Sequence, residues 1–161
     1  QSRVDGAVRL TEMVGLEEKV SFHRANALSS ALPSAEFDSL IAQEAFCHIP
    51  NKPWLLTECV RVLKPGGMFC WTDLRDAKTM ASLPALFESK GFEIVESADV
   101  VEEVIRALDE INETKMKAIE EKVPKSVRRS FEPFAGVKGT PVYEGFVSGS
   151  MAYHRHLMRK P

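Results

Sequence analysis

The chain has 161 residues, 44% of them hydrophobic and 27% charged, which is the balance of one globular domain with its own core. A net charge of -2 with no basic stripe excludes a general nucleic-acid binder, and no apolar run is long enough for a membrane-spanning helix. Three cysteines without CxxC or metal-ligand spacing read as reduced packing residues, so a cytoplasmic location is the default expectation.

Val4, Ala7, Val8, Leu10, Thr11 and Val14 form an apolar helical stripe that stops at Gly15. Val20, Phe22 and Arg24 then alternate with Ser21, His23 and Ala25, which predicts an exposed strand centred on residues 20–24. Residues 37–42 are too few for a helix and nearly continuously apolar from Leu40, as expected of a strand covered on both faces. Asn51 can cap the helix that follows, with Pro53 in its first turn. Leu55, Leu56, Cys59, Val60 and Leu63 make the buried stripe of that helix, while Lys52, Glu58 and Arg61 face water. Pro65 stops the helix, and Gly66-Gly67 return the chain into a buried strand centred on residues 68–73. A polar loop, a helix over 83–90 closed by Gly91 and an alternating strand near 92–97 follow. Residues 100–149 carry helical stripes, first Val101, Val104, Ile105, Leu108, Ile111, Ile119 and Val123, then Val127, Phe131, Phe134 and Ala135 after Pro124. A last strand near 151–159 is expected to pair antiparallel with the one near 92–97. His154 and His156 share one of its faces, a spacing open to metal, but no third ligand is evident, so surface histidines and no metal site are expected.

Phe37-Asp38, the loop Glu44-Ala45-Phe46-Cys47-His48, the run Arg61-Val62-Leu63-Lys64-Pro65-Gly66-Gly67 and the strand end Thr72-Asp73 stand in this order within one β-α-β unit. In these residues the chain resembles the class I S-adenosylmethionine-dependent methyltransferases that act on small molecules. The resemblance implies an α/β, Rossmann-like methyltransferase fold, incomplete at the amino end, with a helical insertion before the last strand. It covers the chain from the helix after the family's second strand onward. Residues 1–161 are therefore expected to be part of a catalytic domain whose glycine-rich cofactor turn lies outside this sequence. Residues 100–149 are expected to form a lid over the acceptor pocket, with plain core-forming helices as the other reading.

The resemblance also supplies a cofactor, S-adenosylmethionine. Ligands of open doubly wound sheets lie outside the carboxyl ends of the strands, so Ala42 and Gln43 are expected to touch the cofactor and Glu44 the acceptor. Asn26, Ala27 and Leu28 stand where the family usually has Asp-Ala, whose acid accepts a hydrogen bond from the adenine amino group. An amide oxygen still accepts, without charge; a turn-forming Asn26 is the alternative. His48, four residues past Glu44, can orient the acceptor or take its proton, or it can be a loop histidine bonded to backbone. Asp73 can contact a cationic acceptor or cap the loop after its strand.

The expected function is methyl transfer to a small-molecule acceptor, with activity requiring the amino-terminal portion. A methyltransferase-like binding or regulatory module without catalysis stays open beside it. No nucleic acid and no membrane is expected as partner. The unpaired edge of the strand at 37–42 is expected to promote a homodimer or other association.

Overall fold

A computed structural model describes residues 2–161 of the protein. In chain order the elements are α1 (Ser2–Met13), β1 (Phe37–Gln43), α2 (Lys52–Val62), β2 (Leu63–Asp76), α3 (Ala77–Ser89), β3 (Glu93–Asp99), α4 (Val101–Glu110), α5 (Asn112–Lys122), α6 (Lys125–Phe134), α7 (Pro141–Val147) and β4 (Met151–Arg159). The strands form one sheet in the order β1-β2-β4-β3. β1 and β2 run parallel, whereas β4 is antiparallel to both β2 and β3. The parallel pair and the late antiparallel pair thus stand where the sequence places them.

Register decides which side chains are buried. Leu40 lies opposite Phe69 and Ala42 opposite Trp71, while Met158 and His156 face the same two β2 residues from the other side. This face is covered by Leu55, Leu56 and Cys59 of α2 and by Met80, Leu83 and Phe87 of α3. Phe69 sits among aromatic rings, with centroids 5.8 Å from Phe46 and 5.4 Å from Phe92. The opposite face is more open. There Ile41, Cys70, Thr72, Glu96, Arg155 and Leu157 surround a shallow concavity of about 340 Å³. Ile41 is 75% exposed, so β1 is covered on one face rather than on both.

The Pro-Gly-Gly turn is an excursion within β2. Phe37 pairs with Leu63 but Ser39 pairs with Met68, so residues 64–67 bulge out of the register. Gly66 takes φ +76, and a Cβ on Gly67 would lie 2.8 Å from the Lys64 carbonyl oxygen. The bulge is tied to the end of the chain by Gly66 N–H donating to Lys160 O at 2.7 Å and Lys160 N–H donating to Gly67 O at 2.9 Å.

Further expectations are corrected. Residues 20–24 are exposed coil, and the bridge nearest to them joins Asn26 to Ser29. Alternation puts side chains on the right faces, but a strand exists only through ladder hydrogen bonds, and no described strand lies beside this segment. Residues 28–34 are held by α2 instead. Trp54 Nε1 donates to Leu28 O at 2.9 Å, and Ser30 donates to Glu58 Oε1 through its N–H at 3.0 Å and its hydroxyl at 2.6 Å. Glu58 is therefore a clamp, not a free solvent-facing acid. The Arg61 guanidinium first, and Ser30 second, hold its carboxyl down at about 2. The polar loop expected before residue 83 is also absent: α3 starts at Ala77 because Asp76 Oδ1 accepts the Thr79 N–H at 2.8 Å.

Another correction concerns His156, which is 2% exposed and stacks on Trp71 at 5.3 Å between centroids. An inner strand with α3 over it buries a side chain that alternation alone leaves undecided. His154 lies 3.7 Å from Asp99, and no group of three metal-ligating side chains occurs among the described residues. Burial first, and the neighbouring His154 second, lower the His156 pKa from 6.5 to about 4. The unfolded chain therefore takes up this proton before the folded one does. Stability is full above pH 6.5 and is lost as pH falls toward 4, by up to about 3 kcal/mol. Urea melts across this window check the slope, and His156→Phe is expected to flatten it.

Candidate active site

β1 ends at Gln43, and Glu44 turns the chain away with φ +47, a left-handed conformation uncommon outside glycine. Its N–H donates to Thr72 O at 2.9 Å, which keeps the turn in line with β2. A single 3-10 turn, Phe46–His48, follows. Between this turn, β1, α2 and the 25–32 segment lies a cavity of about 500 Å³ whose lining includes Ala25, Ala27, Ala42, Gln43, Phe46 and Ile49. Small side chains at residues 25, 27 and 42 leave the space; Phe46 and Ile49 give it an apolar wall.

Three of the five residues assigned to the cofactor, Ala27, Ala42 and Gln43, line this cavity. Asn26 and Leu28 stand beside it: Asn26 Oδ1 accepts the Leu28 N–H at 3.0 Å, and the Leu28 side chain packs against the core. Asn26 thus forms the turn that presents Ala27. The three residues assigned to the acceptor sit around the β1 turn. His48 is exposed, with its N–H donating to Ala45 O at 3.2 Å. Asp73 is fully buried: Oδ2 accepts the Cys47 N–H at 2.7 Å and Oδ1 the Leu74 N–H at 2.9 Å. Glu44 reaches across to β4, where Tyr153 donates its hydroxyl to Glu44 Oε1 at 2.6 Å.

The turn is fixed by charge as well. Arg75 Nη2 donates to Phe46 O at 3.0 Å, and Lys52 donates to Ile49 O. Burial, and then the Arg75 charge, lower the Lys52 pKa; burial, and then Asp73, raise that of the Cys47 thiol. One buried carboxylate and two cations therefore clamp residues 46–49 against the end of β2. Sequence reading missed Arg75, Thr72 and Tyr153. Only the β2–β4 register would have revealed Tyr153, because it sets residue 153 opposite Leu74, next to the β1 turn.

Residues 4–71 match the family described as Methyltransferase domain. The chain is 26% identical to the phthiotriol/phenolphthiotriol dimycocerosates methyltransferase of Mycobacterium leprae over 149 residues, which are 92% of this chain and 54% of the relative. It spans about half the length of the curated relatives it matches. Among solved structures, it superposes on the [4+2]-cyclase SpnF with a TM-score of 0.75 at 23% identity, covering 100% of this chain and 63% of that one. It also superposes on the O-methyltransferase of a Brevibacillus brevis trans-AT PKS multienzyme in complex with S-adenosyl-L-homocysteine. There the TM-score is 0.75 at 17% identity, covering 99% of this chain and 55% of the other. Over residues 4–71 in sequence, and over nearly its whole length in fold, the chain is similar to S-adenosylmethionine-dependent methyltransferases.

Proposed function

We propose that the protein transfers a methyl group from S-adenosylmethionine to a small-molecule acceptor, and that activity draws on residues outside this sequence. The observation that carries this reading is the cavity of about 500 Å³ at the carboxyl end of β1, lined by Ala27, Ala42 and Gln43 and bordered by the Asn26 turn. Small apolar walls with few polar groups suit an adenosyl group. S-adenosylmethionine, when bound, supplies an electrophilic methyl group on a sulfonium sulfur. The chain's own residues hold and orient: Ala27, Ala42 and Gln43 bind, while Asp73, Arg75 and Lys52 keep the 46–49 turn in place. Glu44 and His48 face the acceptor, and alignment and proximity do most of the work. The acceptors in the relatives' names favour a lipid- or polyketide-like molecule over nucleic acid. Residues 100–149, folded as α4 to α7 with α4 and α7 against β4, suit a lid over that acceptor. The outer edge of β1, unpaired among the described residues, suits association with a second chain. Three free cysteines fit a cytoplasmic setting.

Calorimetric titration with S-adenosylmethionine tests the reading. Ala42→Leu fills the cavity and is expected to weaken binding at least about tenfold, with the fold retained by circular dichroism. His48→Ala is expected to lower turnover with modest change in cofactor affinity; lost affinity with unchanged turnover would place His48 in the cofactor pocket. A second reading is a methyltransferase-like binding or regulatory module without catalysis, since one fold can carry unrelated functions. Cofactor binding without S-adenosylhomocysteine release, across alcohol, phenol and amine acceptors, would favour it.

A further inference from the structure

Glu44 and Tyr153 are 109 residues apart in sequence, yet the Tyr153 hydroxyl donates to Glu44 Oε1 at 2.6 Å. Left-handed backbone at a non-glycine residue persists only where its surroundings hold it, and such residues gather at working sites. Here both backbone groups of Glu44 are engaged: its N–H donates to Thr72 O at 2.9 Å, and its carbonyl accepts the Cys47 Sγ–H at 3.3 Å. Tyr153 is half-buried on β4, with its ring 6.3 Å from Phe146 of α7. Burial first, and the bond to Glu44 second, raise its pKa to about 12, so the phenol remains a donor at working pH. With Oε1 engaged by Tyr153 and Glu44 exposed at the carboxyl end of β1, Oε2 is left to accept a further hydrogen bond. A carboxylate so held is more than a tie between strands: its direction is set from the backbone and from one of its own oxygens.

We propose that Glu44 accepts the acceptor's proton at Oε2 and that Tyr153 is the residue that positions it, so the methylated group is one that carries an O–H or N–H. The inference rests on the methyl-transfer reading. As the acceptor's oxygen or nitrogen bonds to the methyl carbon, the C–S bond breaks and its electron pair stays on sulfur. The acceptor's proton passes to Glu44 Oε2, giving a neutral carboxylic acid that then returns it to water. Tyr153 keeps its own proton throughout.

The test has one readout free of activity. The chain holds two tyrosines, so Tyr143→Phe leaves Tyr153 as the sole phenol. Incorporating difluorotyrosine brings its ionisation into a range where the fold persists. Its ultraviolet titration is expected at a midpoint at least about one unit higher with Glu44 than with Glu44→Gln. Equal midpoints would overturn the pairing. S-adenosylhomocysteine release is then measured with 1-decanol, 4-octylphenol and octylamine as acceptors. Tyr153→Phe is expected to lower kcat at least about tenfold and to move the acid limb of the pH–rate profile, with S-adenosylmethionine affinity unchanged. Glu44→Gln should lose about a hundredfold or more, with partial rescue in Glu44→Asp. Unchanged kcat and pH profile in Tyr153→Phe would overturn the positioning role. Failure of the underlying reading shows differently: wild-type protein that includes the residues outside this sequence, yet binds no S-adenosylmethionine and turns over none of the probes, overturns that reading and the proton-accepting role together. The titration still reports whether Tyr153 holds Glu44.

Discussion

Phe69→Ala is expected to destabilise the protein by about 3–5 kcal/mol, read as a lowered urea midpoint with little change in slope. Phe69 has no exposed surface and stands where the buried faces of β1, β2 and β4 meet. Its ring touches Phe46 from the site turn and Phe92 at the start of the β3 arm, so removing it opens a void that neither neighbour can close alone. A side chain that is large but half-exposed makes the control: Val95→Ala should stay within about 0.5 kcal/mol. Equal losses from the two substitutions would mean that the core is not centred on β2.

Asp73→Ala should cost about 2–4 kcal/mol, and its effect should be local as well as global. The substitution strands the Cys47 and Leu74 N–H groups and removes the carboxylate whose charge acts on Lys52. Hydrogen exchange at Cys47 and Leu74 is therefore expected to accelerate well before the protein melts. Asp73→Asn keeps one acceptor oxygen and should lose less. Exchange at Cys47 that stays as slow in Asp73→Ala as in wild type would show that the turn is held from elsewhere.

What the sequence reveals follows from how local each cause is. Leu40, Phe69 and the Gly66-Gly67 bulge announce themselves through short apolar runs and glycine, and the helix stripe of Leu55, Leu56 and Cys59 is periodic on its own. Residues 20–24 show a strand's alternation without a strand's ladder, because pairing is a property of neighbours and not of the segment. His156 is the converse case: its alternation is right and its face is right, but burial comes from β3, β2 and α3 surrounding it. Of the residues expected at the site, Ala42 and Gln43 line the cavity because they end β1, whereas Ala27 lines it with no strand before it. The Asp73 clamp is legible only as a position, since its partner Cys47 depends on how the turn folds back. Tyr153 was invisible because its partner lies 109 residues upstream.

The place of β4 has a consequence for how the protein is made. β4 is an inner strand and comes last, joining β2 on one side to β3 on the other. While a ribosome is still adding residues before Met151, β3 has no partner and β2 has only β1. Among the described strands, β2 and β3 are therefore joined only after residues 151–159 have emerged. Until then β2 lacks its β4 neighbour, and the β2-β4-β3 half of the sheet waits on residues 151–159.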